Sequence, residues 1–249
     1  MPVAIVIPTY NESTNIERLV GEITALPIDA NVIVVDDNSP DGTGRLVDAL
    51  AARDPRIHAV HRPAKLGLGT AHIAGIRRAF ELNSDPIFTM DADFSHNPRY
   101  IPALLAGLEK FDVVIGSRYV PGGGMQDRSA KLRFVSWGAN FSARTMLNLK
   151  AHDCTSGFRA YRRSVLESID LDHVFSNGYS FLIEVLFLCK AKGWRFGEVP
   201  IMYEDRRAGT SKISRAEIYK ATYTMLRLTW RRIRRVKDAF LGRASASPK

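Results

Sequence analysis

"VAIVIPTYNESTNIERLVGEITALPIDANVIVVDD", residues 3 to 37, decides the fold. Two short runs rich in β-branched residues, "VAIVIP" (3–8) and "NVIVVDD" (31–37), flank a segment with apolar residues at helical spacing. Nearly continuous apolar runs of this length suit strands buried on both faces, and a helix between two such strands makes a parallel βαβ unit. The rhythm continues downstream. "RIHAVHR" (56–62), "PIFTMDAD" (86–93) and "DVVIGSR" (112–118) read as further strands, with helix-compatible segments between them and Asn11, Asp41 and Asn97 as helix caps. The expected architecture is an α/β fold: an open, doubly wound, mostly parallel sheet with helices on both faces. In such sheets ligands bind beyond the carboxyl ends of the strands. Here those ends carry "PTYNE", "DDNSPDG", "DADFSH" and "GSRYVPGGG".

The second half is less regular. It holds a Gly-rich loop (122–124), a helix through "RFVSWGANFSARTMLNL", another through "SFLIEVLFLCKAK", a strand "FGEVPIMY" and a long helix from about Ser214. The expected organisation is a main domain over 1–212, a helical extension over 213–241 and a frayed tail over 242–249.

The 249 residues are 45% hydrophobic and 24% charged, enough for a substantial core. The best candidate for a membrane span, "FLIEVLFLC" (181–189), is shorter than the roughly 20 residues a bilayer needs and contains Glu184, so it reads as a buried helix. "VAIVIP" follows almost directly on Met1 without a basic region or cleavage site, so no secretory signal is read and residence in the cytosol is expected. Cys154 and Cys189 offer no CxxC spacing and read as reduced thiols. The formal charge of +9 is concentrated in "RLTWRRIRRVKDAFLGR", which points to a polyanion or an anionic membrane.

"FTMDADFSHNP" (88–98) sets Asp91 and Asp93 one residue apart at a strand end. If the strand persists, both side chains face the same way and their charges must be relieved by a proton, a basic neighbour or a divalent cation. Hard oxygen donors at a loop mouth suit Mg²⁺ or Mn²⁺, which keep positions open for substrate phosphates. A second cluster, Asp36 and Asp37, ends the second strand, where one carboxylate can accept hydrogen bonds from a nucleotide while "SPDG" forms a turn. Gly67, Gly69 and Gly75 miss the GxGxxG spacing and read as a tight turn and helix packing. Walker A, HExxH and GxSxG motifs are absent, and His96 reads as a loop side chain.

The ordered set "PTYNE", "VVDDNSPDGT", "KLGLGTA", "MDADFSHNP", "GSRYVPGGG", "TSGFRAYRR", "GYSFLIE" and "EVPIMYEDRRAGTSK" resembles the polyprenyl-phosphate mannosyltransferases. This is the dolichol-phosphate mannose synthase group, inverting glycosyltransferases of GT-A (Rossmann-like) fold, and the likeness is closest to the actinobacterial polyprenol monophosphomannose synthases. It runs from about Val3 to Lys212. The resemblance implies transfer of mannose from GDP-mannose to a polyprenyl phosphate. It implies donor binding by Pro8, Tyr10, Glu12, Val35, Asp37, Asp91, Ala92, Asp93, Arg118, Arg206 and Lys212, with Asp91, Asp93 and Arg118 in the catalytic roles. The metal, Mg²⁺ or Mn²⁺, would be held by Asp91, Asp93 and Ser95; some relatives carry an amide where Ser95 stands. Acceptor-phosphate contacts fall on Arg118, Lys131, Arg133 and Ser136, since "KLR" (131–133) replaces the run of three basic residues common in relatives.

A phosphate monoester, with a second pKa of about 6, attacks without a protein base. A sugar hydroxyl would need one, for which Asp153 and Glu184 are the candidates. The QxxRW pattern of processive synthases is absent, which favours a single transfer.

Ile218, Thr222, Met225, Thr229, Ile233, Val236 and Phe240 recur at helical spacing, with Arg227, Arg231, Arg234, Arg235 and Lys237 on the remainder and Trp230 at headgroup depth. This basic amphipathic helix either lies on an anionic membrane or covers the main domain, and both can hold together. The expected location is peripheral, on the cytoplasmic face of the plasma membrane. The resemblance adds a possible membrane partner, the actinobacterial apolipoprotein N-acyltransferase. Competing readings are a UDP-sugar transferase on the same lipid, a nucleotide-sugar sensor without activity, and a basic nucleic-acid-binding module. The last lacks any nucleic-acid motif, so no nucleic-acid partner is expected.

Overall fold

The computed structural model describes residues 1–126, 129–178, 180–204 and 215–245, with Lys131 and parts of the last helix described by backbone alone. The first half alternates as the sequence predicts: β1 (Val3–Thr9), α1 (Ile16–Thr24), β2 (Ala30–Asp36), α2 (Thr43–Ala51), β3 (Ile57–His61), α3 (Leu68–Glu81), β4 (Ile87–Thr89), α4 (Ile101–Gly107) and β5 (Val113–Ser117). Then come β6 (Gly124–Gln126), α5 (Ala130–Leu147), β7 (Arg159–Tyr161), α6 (Arg163–Ser168), α7 (Ser180–Ala191), β8 (Phe196–Pro200), β9 (Met202–Glu204) and α8 (Arg215–Ser245).

The main sheet of the described residues has the order β3-β2-β1-β4-β7-β5-β8. All its pairings are parallel except those of β7, which runs antiparallel to both β4 and β5. Strand alternation splits the core between two faces. Ala4 and Val6 of β1 pack with α3, α5 and α7, while Val3, Ile5 and Ile7 pack with α1, α2 and α4. Each fully buried aliphatic side chain contributes about 1.5–3 kcal/mol, against about 0–1 kcal/mol for an exposed ion pair, so these two layers set the fold. Gly75 marks how closely α3 lies on the sheet: a Cβ there would fall 2.2 Å from Val6 Cγ1.

Four sequence expectations are corrected. β4 stops at Thr89, so Asp91 and Asp93 stand on an irregular turn and strand alternation does not orient them. The segment expected as one strand, "FGEVPIMY", divides into β8 and β9, and β9 pairs with β6, which grows out of the Gly-rich loop. Asn97 accepts from the Arg99 N–H at 3.0 Å, as a cap does; Asp41 accepts from the Thr43 N–H at 3.0 Å but stands one residue before Gly42, which holds the N-cap position of α2. Asn11 does not cap α1; it sits at φ 61°, and α1 starts after Asn15. The intervening loop is instead stitched to the neighbouring strand end: Asn11, Ser13 and Glu12 N–H groups donate to Ser39 Oγ, Asp41 and Thr43 Oγ1, each 3.0 Å.

The fourth concerns α8, which continues through Ser245. Met225, expected on one stripe with Ile233, is buried with Thr224 and Leu228 against the main domain, whereas Ile233 is exposed. The exposed stripe is Tyr219, Tyr223, Leu226, Trp230 and Ile233. A helix with two apolar faces leaves the phase of its pattern ambiguous, and packing against α5 and α7 selects one of them. Arg227 and Arg231, expected toward lipid, lie over the Phe175 ring at 4.0 and 5.5 Å. The side chains of Ile218, Arg235, Val236, Lys237 and Phe240 lie outside the described residues. No helix of the described residues is long and apolar enough to cross a membrane.

Candidate active site

A cavity of about 460 Å³ opens at the carboxyl ends of β1, β2 and β4. β1 and its loop contribute Pro8, Thr9, Tyr10 and Glu12, and β2 contributes Asp37. The segment entering α3 supplies Lys65, Leu66, Gly67, Leu68 and Ala71, and the turn after β4 supplies Asp91, Ala92 and Asp93. Asn177, Gly178 and Lys220 of α8 close the wall. The volume falls within the roughly 300–1,000 Å³ of small-molecule sites.

The turn after β4 is held from below. His96 is buried and stacks on Phe158 at 5.2 Å, and its Nδ1 accepts the Asp91 N–H at 2.9 Å. Accepting at Nδ1 leaves the proton of the neutral ring on Nε2. His96 is thus a loop side chain, as the sequence reads it, and one that is buried and supports Asp91. Gly157, just before β7, brings its own backbone alongside: a Cβ there would lie 3.4 Å from Asp91 Oδ1. The Asp91 side chain is 30% exposed, whereas Asp93 is 4% exposed, with Oδ1 accepting from Ser95 Oγ at 2.5 Å. Ser95 is itself buried and does not line the cavity, so its hydroxyl orients Asp93.

Asp36 and Asp37 separate by role. Asp36 is buried in turn chemistry, bonded to Thr9 Oγ1, Ser39 N–H and Ser39 Oγ. Asp37 reaches the cavity and pairs with Arg62 Nη1 at 2.6 Å. Burial raises its pKa, opposed by the Arg62 charge and by the N–H groups of Gly67 and Leu66. Gly67 has φ 104°, which favours glycine, and a Cβ there would lie 2.1 Å from Asn177 Oδ1 and push that side chain aside. Lys65 Nζ lies 3.9 Å from the centre of the Tyr10 ring, a cation–π contact on the cavity lip.

Seven of the expected donor residues thus meet in one cavity: Pro8, Tyr10, Glu12, Asp37, Asp91, Ala92 and Asp93. Val35 does not; its side chain is in the core beneath α3. Arg118 stands apart from the cavity wall, with Nε and Nη2 forking onto the two oxygens of Asp153 at 2.7 Å each and Nη2 also reaching Thr155 Oγ1 at 2.7 Å. That pairing raises the Arg118 pKa despite its burial. Next to it the Tyr119 hydroxyl donates to Ser136 Oγ at 2.8 Å, while Arg133 is exposed one turn earlier on α5. The Lys131 side chain, Arg206 and Lys212 lie outside the described residues.

Sequence reasoning missed Lys65, Asn177, Gly178 and Lys220. Lys65 and Gly178 carried a signal, since they open "KLGLGTA" and "GYSFLIE"; Asn177 and Lys220 reach the cavity only through tertiary packing.

The two carboxylates considered as bases are sealed. Asp153 and Glu184 are both 0% exposed. Arg118 occupies both Asp153 oxygens, and Glu184 accepts the Ser176 N–H at 2.9 Å. Cys154 and Cys189 are buried thiols pushed up to about 12 by desolvation, which removes thiolate chemistry.

Among the described residues no three His, Cys, Asp or Glu side chains cluster as metal ligands. Asp91 and Asp93 nevertheless fit a hard divalent ion, because Mg²⁺ is commonly bound through one or two carboxylates, with substrate phosphates and water completing the shell.

Residues 4–170 match the model of glycosyl transferase family 2. The chain is 42% identical over 227 residues to undecaprenyl-phosphate mannosyltransferase of Micrococcus luteus, covering 91% of this chain and 93% of that protein. It is 42% identical over 221 residues to polyprenol monophosphomannose synthase of Mycolicibacterium smegmatis, covering 88% and 83%. Among solved structures, glucosyl-3-phosphoglycerate synthase from Mycobacterium tuberculosis, in complex with Mg²⁺ and UDP, superposes with a TM-score of 0.65 at 20% identity, covering 92% of this chain and 79% of that one. That likeness concerns the fold. With a family match over most of its length and two relatives at 42% identity, the chain belongs to glycosyl transferase family 2.

Proposed function

We propose that this enzyme transfers mannose from GDP-mannose to a polyprenyl phosphate with inversion, giving polyprenyl phosphate mannose and GDP. The observation that carries the reading is the cavity at the strand ends, where Asp37, Asp91 and Asp93 converge with Lys65 and Lys220. The names of the two relatives supply the acceptor class and the sugar.

In this reading Asp37 and the Pro8–Glu12 segment hold the nucleoside. Asp91 and Asp93 hold Mg²⁺ or Mn²⁺, which when bound neutralises charge on the diphosphate. Lys65 and Lys220 add positive charge on the cavity wall, with Arg206 and Lys212 assigned to the same phosphates by resemblance. An oxygen of the acceptor phosphate forms the new bond to the anomeric carbon as the bond from that carbon to the diphosphate oxygen breaks. No proton need be removed, because a phosphate monoester is mostly dianionic at neutral pH. The sealed state of Asp153 and Glu184 agrees with a mechanism that uses neither as a base. Arg118, fixed by Asp153 beside Tyr119 and Ser136, would meet the acceptor phosphate from the α5 side, with Arg133 and Lys131 of the same helix.

The lipid end would sit on the membrane. α5 exposes Phe134, Trp137 and Phe141, stacked in succession at 5.9 and 5.4 Å, and α8 exposes Trp230 with Arg234 over its ring at 3.9 Å. Aromatic rings beside arginine suit the headgroup layer of an anionic leaflet, where each basic residue adds about 1 kcal/mol. Peripheral attachment on the cytoplasmic face follows in this proposal.

The test supplies purified protein with GDP-mannose or UDP-glucose, a short polyprenyl phosphate, and Mg²⁺ or a chelator, and identifies the lipid product by mass spectrometry. A mannosyl phospholipid formed only with GDP-mannose and metal is the expected result. A glucosyl lipid, or no lipid product, would overturn the assignment.

A further inference from the structure

We infer that Glu184 is a positioning residue of the donor cavity, acting through the Phe175–Gly178 loop, which α8 braces from its other side. The inference rests on reading the cavity as the nucleotide-sugar site. Glu184 lies on α7 with Phe181, Leu182, Ile183, Val185 and Leu186 buried around it. A carboxylate in such surroundings is costly to bury unless it is hydrogen-bonded, so what it bonds identifies its task. It accepts the Ser176 N–H at 2.9 Å and faces the Phe175 N–H at 3.5 Å. Neither residue belongs to the sheet or to a helix; the two residues that follow, Asn177 and Gly178, are cavity wall.

The loop is tied at three further points. Asn177 Nδ2 donates to the Leu66 carbonyl at 2.8 Å, joining this wall to the Lys65–Leu68 wall. Ser176 Oγ and Thr224 Oγ1 of α8 share a hydrogen bond of 3.2 Å. The Arg227 guanidinium of α8 covers the Phe175 ring at 4.0 Å, and Lys220, further back on the same helix, lines the cavity itself. Burial raises the Glu184 pKa, opposed by the hydrogen bonds from Ser176 and Phe175 and, more weakly, by the Arg231 charge of α8. The helix that carries the exposed aromatic stripe therefore also holds the donor wall. Its inner face does so while its outer face remains exposed.

Glu184→Gln keeps the shape of the side chain but replaces one acceptor oxygen by an NH₂ group, and Thr224→Val removes the α8 hydroxyl. GDP binding with Mn²⁺ is measured by calorimetry, KM for donor and acceptor by turnover, and folding by melting. Glu184→Gln should weaken GDP binding and raise the donor KM about tenfold, with the acceptor KM within about twofold, as loss of a charge-assisted hydrogen bond predicts. Thr224→Val should raise the donor KM about threefold, and the double variant should show less than the product of the two effects, because both act through one loop. A merely structural role would lower the melting temperature and leave the donor-to-acceptor ratio of KM values unchanged; that result, or wild-type GDP affinity in folded Glu184→Gln, overturns the inference. Should Glu184→Gln not fold, Thr224→Val and Asn177→Ala decide it by the same donor KM, and unchanged values count against it. Wild-type protein that binds no nucleotide would bring down the donor-site reading as well, whereas normal wild-type binding with unaffected variants would sink this inference alone.

Discussion

The donor cavity and the α5–α8 side of the molecule are built on opposite plans. Around the cavity, functional side chains stand in the turns just past the ends of parallel strands, and three of these residues are tied by short bonds: Asp37 to Arg62, Asp93 to Ser95, and the Asp91 N–H to His96. On the α5–α8 side, Phe134, Trp137, Phe141 and Trp230 project from helix surfaces with half or more of their area exposed. Strand ends give fixed positions for chemistry, while helix faces give area for a surface. The Arg118–Asp153 pair stands between, leaving the end of β5 toward α5.

The largest effect that could break this contrast is at the strand ends. Asp91→Ala and Asp93→Ala should each lower kcat/KM by about 10³-fold or more, since the divalent ion that would offset the charge on the departing diphosphate is no longer held, with melting little changed in Asp91→Ala. Steady-state turnover with near-normal rates would erase the distinction. Next comes the junction: Arg118→Ala leaves Asp153 buried without its partner and should destabilise the protein by about 3–5 kcal/mol in denaturant melts. Burial alone would raise the Asp153 pKa, but the Arg118 charge and hydrogen bonds outweigh it, so the folded carboxyl titrates below its ordinary 3.8. Its contribution is complete above that value and lost as pH falls through the folded pKa, so the Arg118→Ala penalty should shrink in acid. An unchanging penalty would mean the pair is not what stabilises the junction.

A smaller effect tests the sheet itself. Gly75→Ala places a Cβ 2.2 Å from Val6 Cγ1 and should destabilise by about 1–3 kcal/mol through overpacking of α3 on β1. The smallest belongs to the helix faces. Trp137→Ser and Trp230→Ser should each weaken partition to anionic vesicles by about three- to tenfold, leaving donor KM with a short-chain acceptor unchanged. A shift in donor KM with no change in vesicle binding would reverse the assignment of the two sides.

The same contrast explains what could be read in the amino-acid sequence. Residues 3–93 announce their strands by β-branched runs and their cavity by Asp37, Asp91 and Asp93, because local periodicity and position in a βαβ unit carry that information. β7 is three residues long and enters antiparallel between β4 and β5, so neither its length nor its direction had a local signal. The resemblance implies a metal role for Ser95 and a phosphate role for Arg118, but the bonds that hold them, Ser95 to Asp93 and Arg118 to Asp153, are not disclosed by spacing. Lys220 and Asn177 became visible only when α8 and the loop before α7 were placed over the cavity. For α8, periodicity announced a helix but not which of its two apolar faces would be buried.

The central claim is that the turn after β4 binds the donor diphosphate through a divalent ion held by Asp91 and Asp93. Titration of GDP-mannose into the wild-type protein and into Asp91→Asn, with Mn²⁺ and with chelator, measures it directly by calorimetry. The account predicts binding that requires metal in the wild type and is lost in Asp91→Asn. Equal affinity in all four titrations would contradict it.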